Sequence, residues 1–238
     1  MSTVVAGPPE VEVEYPEGPK VPEGDLQVRR RAELHFALRH WLAERPDADA
    51  AWASSDINVY YKQGDPTVVV APDVAVAFGV NVEALDGQST YRVWDAGAPP
   101  IFVLEVASPT TVTIDVTVKP ERYAELGVQE YWRFDPTGGE LLQPPLQAEH
   151  RRSGRWEPIG IARNADGTLT GRSSALGLEL HWRPPKLRLY DPAGGRWLLD
   201  PDDLLEARRA AESSAEAAES RAEAAEAELA ELRRQLKR

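Results

Sequence analysis

The sequence predicts a mixed α/β protein: a β-sheet core flanked by helices, then a β-rich section, then one long C-terminal helix. Three observations lead there. Helical apolar spacing over residues 34–42 gives way to fully apolar and alternating runs between 56 and 135. Short apolar runs separated by turn residues fill 140–199. An apolar heptad repeat then occupies 204–236.

Residues 1–22 hold five prolines and little apolar periodicity, so they are expected to form a flexible N-terminal arm. The first helix follows, with Leu34, Leu38, Trp41 and Leu42 on one side and Arg45-Pro46 at its end. Arg29, Arg30 and Arg31 lie on this helix and read as a solvated face. Asp56 to Tyr61 and Thr67 to Val76 flank the turn-like KQGDP and form a hairpin candidate. Ile101 to Val106 is a strand apolar on both faces. Pro120 to Leu126 is a short helix, with Pro120 suited to its first turn and Gly127 to its C-terminal cap. EYWRF, 130–134, is a further strand closed by Asp135-Pro136. The core is thus expected over 23–139, and a β-meander packed on it over 140–199.

In the last section, 200–238, Leu204, Ala211, Ala218, Ala225 and Leu232 repeat every seven residues. Arg208, Ala215, Ala222, Leu229 and Leu236 do the same on the neighbouring row. That is a coiled-coil seam, but alanine at most positions buries roughly one methyl each. A weak coil supporting a homodimer and a single solvated helix are both compatible with it.

Composition sets limits. The chain of 238 residues has no cysteine, which excludes disulfides, thiolate metal sites and thiol nucleophiles. No run nears the ~20 apolar residues of a membrane span, and the acidic, proline-rich start is unlike a signal peptide. A soluble cytoplasmic protein is expected. The net charge is −12, yet the first 25 residues carry −5 and the last 39 carry −4, leaving −3 for the middle. Acidic flanks can coexist with a locally basic cleft, so a nucleic-acid partner stays open.

The chemistry concentrates in one oddity. IFVLEVASPTT, 101–111, sets Glu105 inside an apolar strand, where an uncompensated carboxylate costs several kcal/mol, roughly. VVVAPDVAVAFG, 68–79, sets Asp73 in similar surroundings after Pro72, which marks a bulge or strand edge. If the two strands are neighbours, both carboxylates converge at one sheet end. Two carboxylates without sulfur ligands suit Mg²⁺ or Mn²⁺. Asp115 and Lys119 add an acid and a base four residues apart. Taken alone, each acid is better accounted for by a structural ion pair with Lys119 or an arginine at a sheet end. The four histidines lack zinc-ligand spacing, and no phosphate loop or nucleophile elbow occurs.

PDVAVAFG, FVLEVASPTT and DVTVKPERYAELGVQEYWRFDP together resemble the Uma-two putative endonucleases, a branch of the PD-(D/E)XK nuclease superfamily. The resemblance covers roughly 23–190 and is densest over 72–136. It implies a restriction-endonuclease-like fold, a DNA substrate, and Asp73 and Glu105 as Mg²⁺ (or Mn²⁺) ligands. Asp115 is a further ligand candidate. The superfamily's lysine two residues after the second acid is replaced by Ala107, so the resemblance assigns that role to Lys119 on the following helix. Glu23 and Gln27 match polar residues some nucleases place on the first helix. Two functions follow: a metal-dependent DNA endonuclease, or an inactive nuclease-fold protein that binds or assembles through its coiled tail. Tyr123, Tyr131 and Trp132 read as core packing.

Overall fold

The computed structural model describes residues 13–15 and 24–235. Most of the expected N-terminal arm, with Glu23, lies outside the described residues, as does Leu236 at the end of the heptad. In chain order come α1 (Asp25–Ala43), β1 (Ala51–Ser55), β2 (Asn58–Tyr60), β3 (Val69–Val70), β4 (Val74–Phe78) and α2 (Val82–Leu85). Next are β5 (Thr90–Arg92), α3 (Val93–Ala96), β6 (Phe102–Val106), α4 (Val112–Thr117), α5 (Lys119–Leu126) and β7 (Glu130–Phe134). Then follow β8 (Leu146–Arg152), β9 (Arg155–Pro158), β10 (Ile161–Arg163), β11 (Leu169–Arg172), β12 (Glu179–Arg183), β13 (Lys186–Asp191), β14 (Arg196–Trp197) and α6 (Pro201–Gln235). The protein is mixed α/β.

A six-stranded mixed sheet of order β1-β4-β6-β7-β8-β9 is the centre. β6 and β7 are parallel, joined by the crossover through α4 and α5. The alternation of Val74, Ala75, Val76 and Ala77 explains why the sheet is buried twice. Val74 and Val76 join Leu38 and Trp41 of α1, Leu104 and Trp132 in one apolar cluster. Ala75 and Ala77 face a second cluster with Val103, Tyr123 and Tyr131. Each strand residue therefore meets a core on its own side.

β4 is short for a reason. The apolar run 67–76 is interrupted at Pro72, so Val69–Val70 pairs antiparallel with β2 while Val74–Phe78 joins the central sheet. The expected hairpin is real but shorter, and the run is split between two sheets. β1, a weakly apolar AWASS, pairs along all of β4 and was not apparent from the sequence. β5 adds to β2 in parallel.

The central sheet also continues past residue 140, because β8 pairs with β7 from Glu130↔His150 to Phe134↔Leu146. The separate meander comprises β10 to β14, an antiparallel sheet of five strands. Its Leu180, Trp182, Leu187 and Leu189 pack into the cluster that holds α1. Gly171 permits that closeness, since a Cβ there would lie 2.8 Å from Trp132.

The described residues up to Leu198 form one compact unit, and a second unit beginning at Leu199 carries the helix α6. No helix among the described residues is long and apolar enough to cross a membrane.

Candidate active site

The β4–β6 ladder ends at Val74↔Leu104, which puts Asp73 and Glu105 side by side just where β4 begins. Alternation puts both on the face of Val103, opposite the apolar cluster of Leu38 and Trp41. The contacts agree: Asp73 Oδ2 accepts the Val106 N–H at 2.8 Å, and the Asp73 N–H reaches Glu105 Oε2 at 3.4 Å. Asp73 is 8% and Glu105 1% exposed. The convergence expected from the sequence is present.

The crossover completes the site. α4 carries Asp115, 2% exposed, and its carbonyl accepts the Tyr131 hydroxyl at 2.7 Å, which satisfies one of the carbonyls left open at a helix end. α5 begins at Lys119, with Pro120 in the first turn, where no N–H is required. Gly127 closes the helix at φ 96°, a conformation that disfavours any side chain. Held there, Lys119 Nζ lies 2.8 Å from Glu105 Oε1 and 2.9 Å from Asp115 Oδ1. The ammonium therefore sits between two acids. Ala107 is buried, and its N–H bonds the Phe134 carbonyl at 2.9 Å, so nothing basic enters from that position.

Residues read otherwise from the sequence also belong here. Arg31 is not on a solvated face: its Nη1 lies 3.5 Å from Asp73 Oδ1 and its side chain is 11% exposed. Arg30 is buried too, against Glu33, and only Arg29 remains largely in water. Tyr123 is fully buried, as core packing requires, but its hydroxyl also donates to Glu105 Oε1 in a short hydrogen bond. Gln27 donates to the Val106 carbonyl at 3.1 Å. A buried, polar-tipped residue such as Tyr123 was the available signal; the register of α1 was not readable.

The electrostatics follow from burial. Burial pushes the Glu105 carboxyl well above the usual range; Lys119 pulls it back, while Asp73 and Asp115 push it further up. Burial opposes the Lys119 charge, but Glu105, Asp115 and Asp73 outweigh it and hold the ammonium above its ordinary value. The two directions are consistent. Three acids face Lys119 and Arg31, a formal excess of one negative charge when all are ionised.

One oxygen of each acid is lightly engaged. Glu105 Oε1 is taken by Lys119 and Tyr123, leaving Oε2 with the long contact from Asp73. Asp73 Oδ2 is taken by Val106, leaving Oδ1 with Arg31. Neither carboxylate oxygen of Asp115 accepts an aligned hydrogen bond, although Oδ1 has the ion-pair contact with Lys119. An orphaned buried oxygen, an all-oxygen donor set and a surplus negative charge fit a hard divalent cation. Among the described residues no three acids or histidines form a ready-made metal cage, so a cation here would rest on one or two carboxylates plus water or phosphate oxygens.

The sequence model of the Uma2 family, described as "Putative restriction endonuclease", matches residues 6–182. A similar solved structure is the "Crystal structure of a putative nuclease belonging to DUF820 from Anabaena variabilis ATCC 29413". It is 15% identical, with a TM-score of 0.36, and the match covers 81% of this chain and 88% of that one. No curated protein matches the chain.

Proposed function

The chain belongs to the Uma2 family, and from that premise and the buried acids we propose a divalent-cation-dependent endonuclease that hydrolyses DNA phosphodiester bonds. The observation that carries the reading is the surplus negative charge of Asp73, Glu105 and Asp115 around Lys119, with Asp115 Oδ2 unsatisfied. Asp73 and Glu105 would hold Mg²⁺ or Mn²⁺, with Asp115 holding Lys119 beside them. When bound, the cation supplies Lewis acidity to a phosphoryl oxygen and makes the attacking water more acidic.

The protein groups have separate tasks. Lys119 stays protonated, so it is no general base; it donates to the water and offsets charge developing on the phosphorane. Tyr123 and Lys119 fix one oxygen of Glu105 and leave the other turned to Asp73. Arg31 anchors Asp73, and Val106 N–H fixes its rotamer.

Plasmid nicking with Mn²⁺ tests the proposal. Wild type should nick, and Glu105→Gln should not. No nicking by wild type on any DNA form favours a nuclease-fold protein that works as a binding or assembly module. We further propose that α6 joins two copies, since two active sites suit duplex cleavage and two-fold assemblies are the commonest. Removing residues 204–238 should halve the mass by light scattering; an unchanged mass excludes the helix from assembly.

A further inference from the structure

The five-stranded sheet of β10 to β14 has one buried face and one outer face. Alternation puts Leu180, Trp182, Leu187 and Leu189 inward. Outward go the cross-strand pairs His181↔Arg188, Arg183↔Lys186 and Tyr190↔Trp197. In a chain of net charge −12, this face carries a cleft of about 480 Å³ lined by Arg183, Lys186, Arg188, His181, Trp197 and one carboxylate, Asp166. That volume is within the usual range for a ligand site. Trp197 is 46% exposed and is the one exposed aromatic among the described residues. It is also braced. His181 and Tyr190 meet it edge-on at 4.8 and 5.2 Å, and the Arg188 guanidinium lies 5.3 Å from its ring centre.

We propose that this cleft binds a single strand of DNA, with an unpaired base on Trp197 and its phosphates against Arg183, Lys186 and Arg188. A lone exposed tryptophan is ordinary. A tryptophan held rigid in a cleft with three cations is a stacking platform with a charge for the backbone beside it. The base must be unpaired, because in a duplex its face is covered by its neighbours. The inference rests on the nuclease reading for its choice of nucleic acid, and it adds a strand-holding surface made wholly outside the acid site.

Fluorescence anisotropy of a labelled mixed-sequence 12-nucleotide strand, in chelator and with the full chain, tests it. Trp197→Ala should weaken binding ~10-fold or more, and Trp197→Phe should keep most of it. Lys186→Glu with Arg188→Glu should weaken binding and lower the slope of log affinity on log salt by about 1.4. Three results overturn the proposal. One is a folded Trp197→Ala protein that binds as well as wild type. Another is displacement of the strand by polyglutamate as readily as by unlabelled strand. The third is equal binding of duplex with equal loss in Trp197→Ala. Chelation separates this from cleavage. Trp197-dependent binding by a protein that nicks nothing retires the nuclease reading alone; nicking without such binding retires this proposal alone.

Discussion

Two pairs of acids are equally buried and differently treated. Glu130 and Asp135 bracket β7 and are 2% and 0% exposed; Glu105 and Asp115 are 1% and 2%. Glu130 accepts hydrogen bonds from Trp132 Nε1, Ser173 Oγ and the N–H groups of Ser174 and Ala175. Asp135 accepts from the N–H and hydroxyl of Thr137 and the N–H groups of Leu141 and Leu142. Neutral donors saturate both. Burial would raise the Asp135 carboxyl, but those bonds outweigh it and hold it below its ordinary value. The Glu105 carboxyl is driven the other way, by burial and by two more acids. A saturated buried acid is a loop anchor. A crowded one with spare oxygens is the feature on which the proposed cation site rests.

The largest expected effect separates the pairs by activity and stability. Asp73→Asn or Glu105→Gln should lower plasmid nicking by ~10³-fold or more. Melting temperature should hold or rise, because a compressed negative charge is gone. Asp135→Asn should do the reverse. It turns an amide toward backbone donors and should cost about 3 kcal/mol by denaturant unfolding, with nicking preserved in the folded fraction. Loss of nicking in all three variants would erase the distinction.

Next in size is Lys119. An ammonium that acts on the transition state is worth ~3 kcal/mol, so Lys119→Ala should slow nicking by ~10² with little change in DNA binding. Lys119→Arg should recover only part of it, since a planar fork is not a point charge. Equal nicking by wild type and Lys119→Ala would leave Lys119 a salt-bridge partner.

The smallest effect is a pH slope, and its sign differs between the pairs. Glu105 binds its proton more tightly folded than unfolded, so its contribution falls as pH rises from the ordinary glutamate value toward the raised one. Asp135 contributes above the ordinary aspartate value and loses that contribution as pH drops through its lowered one. Unfolding free energy measured across pH should therefore fall less steeply toward neutrality in Glu105→Gln. It should fall less steeply toward acid in Asp135→Asn. Matching slopes in both variants would contradict the assignment.

How much of this was readable beforehand depended on what each residue needed. Glu105 and Asp73 stood out because an acid in an apolar strand violates the local pattern. Pro120 and Gly127 showed where the helix of Lys119 begins and ends, but its role beside the acids came only from the family resemblance and its reach to them was not readable. Arg31 was not readable, because three successive arginines on a helix look solvated unless the partner element is known. β1 was missed because its alanines and serines carry little strand signal, and only pairing with β4 makes them a strand. The joining of β8 and β9 to the central sheet was hidden likewise, since a short strand reads the same whichever sheet takes it.

The crowded acids are proposed to be a cation site. Calorimetric titration of Mn²⁺ into the full chain at two pH values addresses it without any substrate. Burial raises the proton affinity of the Glu105 carboxyl and a cation favours its ionised form, so binding should tighten as pH rises. It should vanish in Asp73→Asn and persist in Asp135→Asn. Mn²⁺ heat that is absent from wild type, or undiminished in Asp73→Asn, would mean that these acids are not a cation site.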